Sequence, residues 1–381
     1  TFFNFGGLAG GGKLAYNGVA GVDVLTDLAQ FKPLRIYDKG SSLTGSNKYE
    51  QITLGRSFNV DDNLSFSVAG RVVHGTRKLN GNLNIGANPT AQYKQAKAQQ
   101  VAQEVSKAVD AATQGKGLSA AQIAAIKAQK TNEALTKLQQ KVNGLNQNGL
   151  TGDIDSKREA WGYGFQLGMN YKVNDKLNLA ARYDSRVKMN FKAKGHEYQL
   201  QTTDILGQTI GLSTFYPQYT INSKIRRDLP AILSVGASYK VTDSYLVSAS
   251  GNFYFNRQAK MDRVKAFRGH QHGGDYKNGW EIALGNEYKL NEKFTLIGSM
   301  NYADTGAKTA SFNDTEYALN SVTLGGGIRY QYDDSLSITA SVAHFIYQGA
   351  DGNFKEKYGV AENQKYKKEI TALGLSITKK F

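Results

Sequence analysis

The stretch YKVNDKLNLAARY, Tyr171 to Tyr183, sets a polar turn, Asn174-Asp175-Lys176, between two short runs in which apolar and polar residues alternate. The same phrase recurs along the chain. It appears as ITLGRSFNVDDNLSFSVAGRV from Ile52, LSVGASYKVTDSYLVSASGNF from Leu233, IALGNEYKLNEKFTLIGSMNY from Ile282 and TLGGGIRYQYDDSLSITASVAHF from Thr323. Short polar side chains at Asp61-Asp62, Asn174-Asp175, Thr242-Asp243, Asn291-Glu292 and Asp333-Asp334 bond to their own backbone and suit tight turns. Each phrase therefore predicts an antiparallel hairpin, with short turns on one rim and longer loops on the other.

Within a strand the period is two. Leu177, Leu179, Ala181 and Tyr183 share one face, and Lys176, Asn178, Ala180 and Arg182 share the other. Leu64, Phe66, Val68 and Gly70 likewise oppose Asn63, Ser65, Ser67 and Ala69. A soluble sandwich also alternates, so the placement of aromatics decides between the two architectures. Tyr171, Tyr183, Tyr239, Tyr254, Tyr288 and Tyr302 fall near predicted strand ends, where a membrane barrel carries its interfacial girdles.

The composition permits this reading. The chain has 381 residues, 41 glycines, 22 tyrosines and no cysteine, and its mean hydropathy is −0.46. No apolar run is long enough for a membrane helix, whereas strands that show one face to lipid average out as polar. The formal net charge of +15 comes from bases scattered through loops and polar faces, without a nucleic-acid-binding motif. Anionic lipid head groups or acidic ligands suit such a surface better than nucleic acid.

The expected strand pairs are 52–60 with 63–79, 160–174 with 176–194, 229–242 with 245–262, 277–290 with 293–306, and 320–333 with 336–349. A last strand covers 369–381, and further strands lie near 1–16 and 214–226. Between Asn88 and Leu150 the pattern changes to Ala, Gln and Lys without proline over 91–148, which predicts two helices meeting near Gly115 and Gly117. Ser119 and Gln122 form a Ser-x-x-Gln capping box, with Leu118 and Ile123 as its staple. This insertion is either a solvated spacer in an extracellular loop or a cap that touches the barrel mouth or another molecule.

No hydrolase elbow, zinc helix or nucleotide loop is present, so neither an enzyme nor a cofactor is indicated. His270 and His272 lie in a basic loop without an acidic or Cys partner beside them, and no metal site is expected.

At this point the residues resemble a known group. GGLAGGGKLAYNGVAG (6–21), SFNVDDNLSFSVAGRVVHGTRKLNGNL (57–83), GYGFQLGMNYKVNDKLNLAARYDSRVKMNFKAKG (162–195) and RRDLPAILSVGASYKVTDSYLVSASGNFYFN (226–256) are similar to the outer-membrane transporters of long-chain fatty acids and other hydrophobic compounds. The resemblance implies an all-β protein: one transmembrane antiparallel β-barrel of 14 strands over residues 1–381, monomeric, in the outer membrane of a Gram-negative bacterium. It implies passive uptake of hydrophobic compounds such as fatty acids or hydrocarbons, with a lateral opening at an inward strand kink. The family's N-terminal hatch, with its Asn-Pro-Ala phrase, is expected to be missing or to lie upstream of Thr1.

The resemblance points to Arg226-Arg227-Asp228-Leu229-Pro230 as a structural phrase before a strand. Gly10, Gly11 and Gly12 are read as glycines that bend an early strand beside a portal. Lys188, Lys192, Lys194, Arg226 and Arg227 are read either as cations for a carboxylate head group or as ordinary lipid-facing and loop charges. The terminal Phe381 looks like the signal read by the barrel assembly machinery, and outer-membrane lipids and lipopolysaccharide are the expected surroundings. Two other functions stay open: a water-filled diffusion porin, and a surface adhesin or structural protein.

Overall fold

The computed structural model describes residues 1–18, 32–148, 150–194, 202–203, 209–210, 221–262, 264–265, 271–272, 276–312, 317–358 and 362–380. Its main feature is one antiparallel sheet of 15 strands. In chain order these are β1 (Phe2–Asn17), β2 (Ile36–Asp38), β3 (Ser42–Asn59), β4 (Leu64–Ala87), β5 (Leu150–Lys172), β6 (Leu177–Asp184), β7 (Asn190–Lys194) and β8 (Lys224–Arg226). They continue with β9 (Ile232–Lys240), β10 (Tyr245–Tyr254), β11 (Gly279–Lys289), β12 (Phe294–Asp304), β13 (Ser321–Gln331), β14 (Leu336–Tyr347) and β15 (Glu369–Lys379).

Hydrogen-bonded neighbours follow β1-β3-β4-β5-β6-β9-β10-β11-β12-β13-β14-β15, while β2 joins β4 and the pair β7–β8 joins β5. Twelve strands thus make the continuous path among the described residues, against the 14 implied by the resemblance. β1 and β15 are its two edges. A bilayer leaves no backbone group unsatisfied, which is why a spanning sheet of this kind closes into a barrel.

The recurring phrase forms the same turn each time. Asp61 Oδ1 accepts the N–H groups of Asn63 and Leu64, both at 2.7 Å. Asn174, Asn291 and Asp333 do the same for the second and third residues that follow them. At the fifth turn Thr242 Oγ1 accepts from Ser244 N–H. The side chain supplies the acceptor that the bent backbone cannot.

Faces follow from register. Along β5, Trp161, Tyr163, Phe165, Leu167, Met169 and Tyr171 point outward and are exposed. Their cross-strand partners on β4 include Phe66, Val68 and Val72, which also point outward. From Trp161 to Tyr171 of β5 the chain rises about 33 Å at about 3.3 Å per step, or roughly 25 Å once tilted, the height of a lipid-facing band. At the far edge Leu373, Leu375 and Ile377 are 85%, 74% and 66% exposed. No helix among the described residues is long and apolar enough to cross a membrane.

On the rim opposite the short turns stand α1 (Ala91–Thr113) and α2 (Ala120–Asn148). Ser119 N–H donates to Gln122 Oε1 at 2.8 Å, and Gln122 N–H donates to Ser119 Oγ at 3.2 Å, the reciprocal capping pair. Gly115 and Gly117 connect the helices at φ +75° and +67°, where a Cβ would be strained. Leu138 and Val142 of α2 are buried against Val101 and Tyr93 of α1 and against Leu34. This packing fastens the hairpin to the segment before β2.

Several expected strand limits differ: β3 begins at Ser42 where 52 was expected, β4 runs on to Ala87 past 79, β5 begins at Leu150 where 160 was expected, and β10 ends at Tyr254 short of 262. The strand expected over 176–194 ends at Asp184 and resumes at Asn190. The one expected over 229–242 starts at Ile232, two residues beyond Pro230. Of the strand expected near 214–226, residues 214–220 lie outside the described residues, and Lys224–Arg226 forms β8. Phe381 and His270 are also outside them, and His272 pairs with Val264 in a two-stranded ribbon.

Candidate functional site: an interruption in the barrel wall

The wall changes character between β5 and its neighbour. β6 pairs with β5 as far as Asp184 opposite Gln166, and β7 resumes with Lys192 opposite Glu159. The two registers differ by one residue: continued without a slip, the first would set residue 191, not Lys192, opposite Glu159. Between them Ala160–Gly164 has no ladder partner on this side among the described residues. A one-residue slip exchanges the two faces. Odd-numbered residues therefore face lipid in β6 but lie on the inner side in β7.

The intervening segment turns into the lumen. Val187 and Met189 are 0% exposed and Phe191 is 1% exposed, and they pack with Val73, Ala160, Leu8, Tyr49 and Leu229. Glycines on the inner faces of β4 and β5 make room for them. A Cβ at Gly75 would lie 2.8 Å from the Phe191 ring and 2.9 Å from Met189 Cε. One at Gly162 would collide with Val187 and Met189, and one at Gly164 would lie 2.8 Å from Ser185 Oγ. These three side chains form a wedge that seals the interruption from inside.

Two buried carboxylates hold the ends of the wedge. Below it, Asp184 lies 3.6 Å from Arg71 Nη1, pairs with Arg182 Nε at 3.0 Å and accepts from Gln166 Nε2. Arg71 Nη2 also donates to the Ser185 carbonyl at 2.6 Å. Ser185 keeps its contact with β5 by donating its N–H to Phe165 O at 2.9 Å and accepting Phe165 N–H on Oγ at 2.8 Å. Beside the wedge, Asp228 accepts the N–H groups of Met189 and Lys260, each at 3.2 Å, and two hydrogen bonds from Arg226 at 2.9 Å. A charge out of water is tolerable only when paired and bonded in this way.

The residues singled out from sequence fall in several places. Lys188 lies in the wedge segment, its carbonyl 2.7 Å from where a Gly162 Cβ would sit. Arg226 is tied to Asp228, and Arg227 donates its N–H to Met189 O at 2.9 Å. Lys192 and Lys194 share the outward face of β5 with Glu159 and Lys157, and Lys194 pairs with Glu159 at 2.6 Å. β1 has register shifts at Gly7–Ala9 and across Gly10–Lys13, with Gly10 at φ +84°. In the sheet β3 and β4 lie between β1 and the interruption, yet Leu8, skipped at the first shift, packs against the wedge; a further bend lies at Asp184–Ser185, beside the interruption itself.

Sequence reasoning missed Arg71, Asp184 and the three glycines. The signal available was the spacing of Gly162 and Gly164 in GYGF, two glycines on one face of a strand. Among the described residues no group of His, Cys, Asp and Glu is arranged to hold a metal ion.

An antiparallel sheet with an aromatic-edged apolar exterior, a polar interior and a sealed interruption in its wall defines an outer-membrane β-barrel of the transport class. The chain belongs to the outer membrane protein transport protein (OMPP1/FadL/TodX) family, whose match covers residues 40–381. It is 26% identical over 205 residues to the 47 kDa outer membrane protein of Pasteurella multocida (strain Pm70), covering 52% of this chain and 46% of that one. It is also 26% identical over 219 residues to outer membrane protein P1 of Haemophilus influenzae, covering 56% and 44%. The matched part is thus less than half the length of these relatives.

Among solved structures, a Pseudomonas aeruginosa FadL homologue superposes with a TM-score of 0.54 at 15% identity, covering 89% of this chain and 74% of that one. The Ralstonia pickettii toluene transporter TbuX gives 0.50 at 16% identity, covering 99% and 78%. At these identities the likeness is one of fold.

Proposed function

We propose that this outer-membrane protein takes up hydrophobic compounds by passive diffusion, and that cargo leaves the lumen for the bilayer through the interruption beside Ala160–Gly164. The observation that carries this reading is the wedge itself. It is a seal of apolar side chains, Val187, Met189 and Phe191, seated on glycines at the depth of the lipid-facing Trp161 and Tyr163. An apolar tail loses little by replacing such side chains, whereas a hydrated ion would leave its water behind. Lys188, exposed and without a hydrogen bond or ion pair to another described residue, is the cation we assign to a carboxylate head group. Long-chain fatty acids and monoaromatic hydrocarbons are the candidate cargoes. The second is the kind named for a neighbouring channel in the family.

The first test is conductance of the purified protein in planar bilayers, paired with fatty-acid and toluene binding. Low conductance with saturable binding supports the proposal. The polar side chains on the inner face, among them Ser57, Ser67, Asn170, Arg182 and Asn252, favour a second reading, a diffusion porin. Large, steady conductance indifferent to either ligand would select that reading and remove the sealed route.

A further inference from the structure

Above the lipid-facing aromatics of β5, the outer face of the sheet turns basic in two adjacent rows fixed by register. One row reads Lys48, Thr76, Glu159, Lys192 and Lys224 across β3, β4, β5, β7 and β8. The next row outward reads Lys13, Ser46, Lys78, Lys157 and Lys194 across β1, β3, β4, β5 and β7. Seven lysines therefore share these two rows with one carboxylate, Glu159, and Lys48 also pairs with Glu50 of the row below at 2.6 Å.

Lys78 is directly opposite Lys157, Lys157 is opposite Lys194, and Lys192 is opposite Lys224. Like charges in direct cross-strand pairs destabilise a sheet unless an anion lies between them. Glu159 serves two of these lysines, bonding Lys157 at 2.5 Å and Lys194 at 2.6 Å. The side chains of Lys13, Lys78, Lys192 and Lys224 make no hydrogen bond or ion pair with another described residue, and all four residues are exposed. In the row just below stand Glu50, His74 and Trp161, the two rings 4.4 Å apart and Trp161 60% exposed. Such an aromatic row marks the boundary between hydrocarbon and head groups.

We infer that this two-row lysine patch binds the phosphate groups of a phosphorylated glycolipid in the outer leaflet. The position argues for a lipid and not a free ion. The patch is on the outside of the wall, on the long-loop side of the apolar band, at the height where a lipid whose acyl chains lie against Trp161 and Tyr163 presents its head group. Strands lie about 4.8 Å apart, and alternate residues along a strand about 6.6 Å apart. A doubly phosphorylated head group can therefore touch lysines of both rows at once.

The experiment measures binding of bis-phosphorylated lipid A, and of the same lipid with its phosphates removed, to the full chain in detergent micelles. The variant Lys78→Gln/Lys192→Gln/Lys224→Gln is expected to bind the phosphorylated lipid about 10- to 100-fold more weakly. The dephosphorylated lipid should bind both proteins equally and weakly. A second triple, Lys176→Gln/Lys289→Gln/Lys293→Gln, makes the same change in net charge on the short-turn rim and should bind like the wild type. The arginine triple at positions 78, 192 and 224 should retain binding, which separates lost charge from a damaged fold. Equal affinity in wild type and the first triple, equal loss in the second triple, or displacement of the lipid by millimolar inorganic phosphate would each overturn the inference.

Discussion

The wall from β11 to β14 and the wall at β5 are built from the same kind of strand but behave differently. From β11 to β14 the register holds without a slip: Trp280 to Lys289 match Asp304 to Thr295, and Ser321 to Gln331 match Tyr347 to Ser337. Outward residues there, such as Ile282, Leu284 and Leu324, meet lipid, and inward ones are small or polar. At β5 a one-residue slip, two glycines of β5 and one of β4, and two buried carboxylates turn a strand segment inward. A continuous ladder is therefore what these sequences form by default. An interruption needs a place for the displaced side chains and bonds for the displaced backbone.

The strongest way to break this comparison is to lock the wedge. The chain has no cysteine, so Ala160→Cys with Val187→Cys introduces a single pair within one buried cluster, at two positions where a side chain already fits. Oxidation is expected to reduce cargo uptake to background, and reduction to restore it, measured in cells or proteoliposomes. A matching pair at Leu284 and Met300, cross-strand neighbours in the unbroken wall, should leave uptake unchanged. Equal uptake by the oxidised and reduced wedge pair would show that the wedge does not gate passage.

Removing Asp184 sharpens the comparison through stability. Asp184→Ala leaves Arg71, whose side chain is 3% exposed, without its carboxylate. The expected loss is about 3–5 kcal/mol, read as a lower unfolding midpoint in urea with lipid vesicles. A smaller effect separates lumen from lipid: Phe191→Ala opens a cavity in the wedge and should cost about 3 kcal/mol and raise conductance. Leu284→Ala, on the lipid face, should cost less and leave conductance unchanged, because lipid fills the space.

The smallest effect concerns the turns, which are regular throughout. Hydrogen bonds from the Ser335 hydroxyl and then its N–H hold the Asp333 carboxyl below its ordinary range. A carboxyl with a depressed folded value stabilises the fold above the ordinary carboxylate range, and this contribution is lost as pH falls through the depressed value. The melting temperature of the wild type should therefore be level from pH 7 to about 5 and fall at lower pH. Asp333→Asn should show a shallower fall. Identical acid profiles would mean that this turn carries no linked proton.

Much of this was legible in the residues. The polar pairs at Asp61, Asn174, Asn291 and Asp333 announce turns because their acceptor atoms reach backbone N–H groups two and three residues on, a local interaction that needs no distant partner. The capping pair of Ser119 and Gln122 is local in the same sense. The lysine rows were not legible: Lys78, Lys157, Lys194 and Lys224 are far apart in sequence, and only pairing makes them neighbours. Gly162 and Gly164 were visible as glycines, but what fills the space beside them was not.

The wedge marks the boundary most clearly. Alternation runs on from Leu177 through Tyr183, Val187, Met189 and Phe191 without a break in parity. Sequence alone therefore determined a membrane-facing strand grammar, its turns and an inserted pair of helices, because each depends on neighbours within a few residues. Only the tertiary structure decided that Val187, Met189 and Phe191 leave the lipid face for the lumen. That choice is a one-residue slip against β5, and an apolar side chain suits hydrocarbon and a glycine-floored lumen equally well.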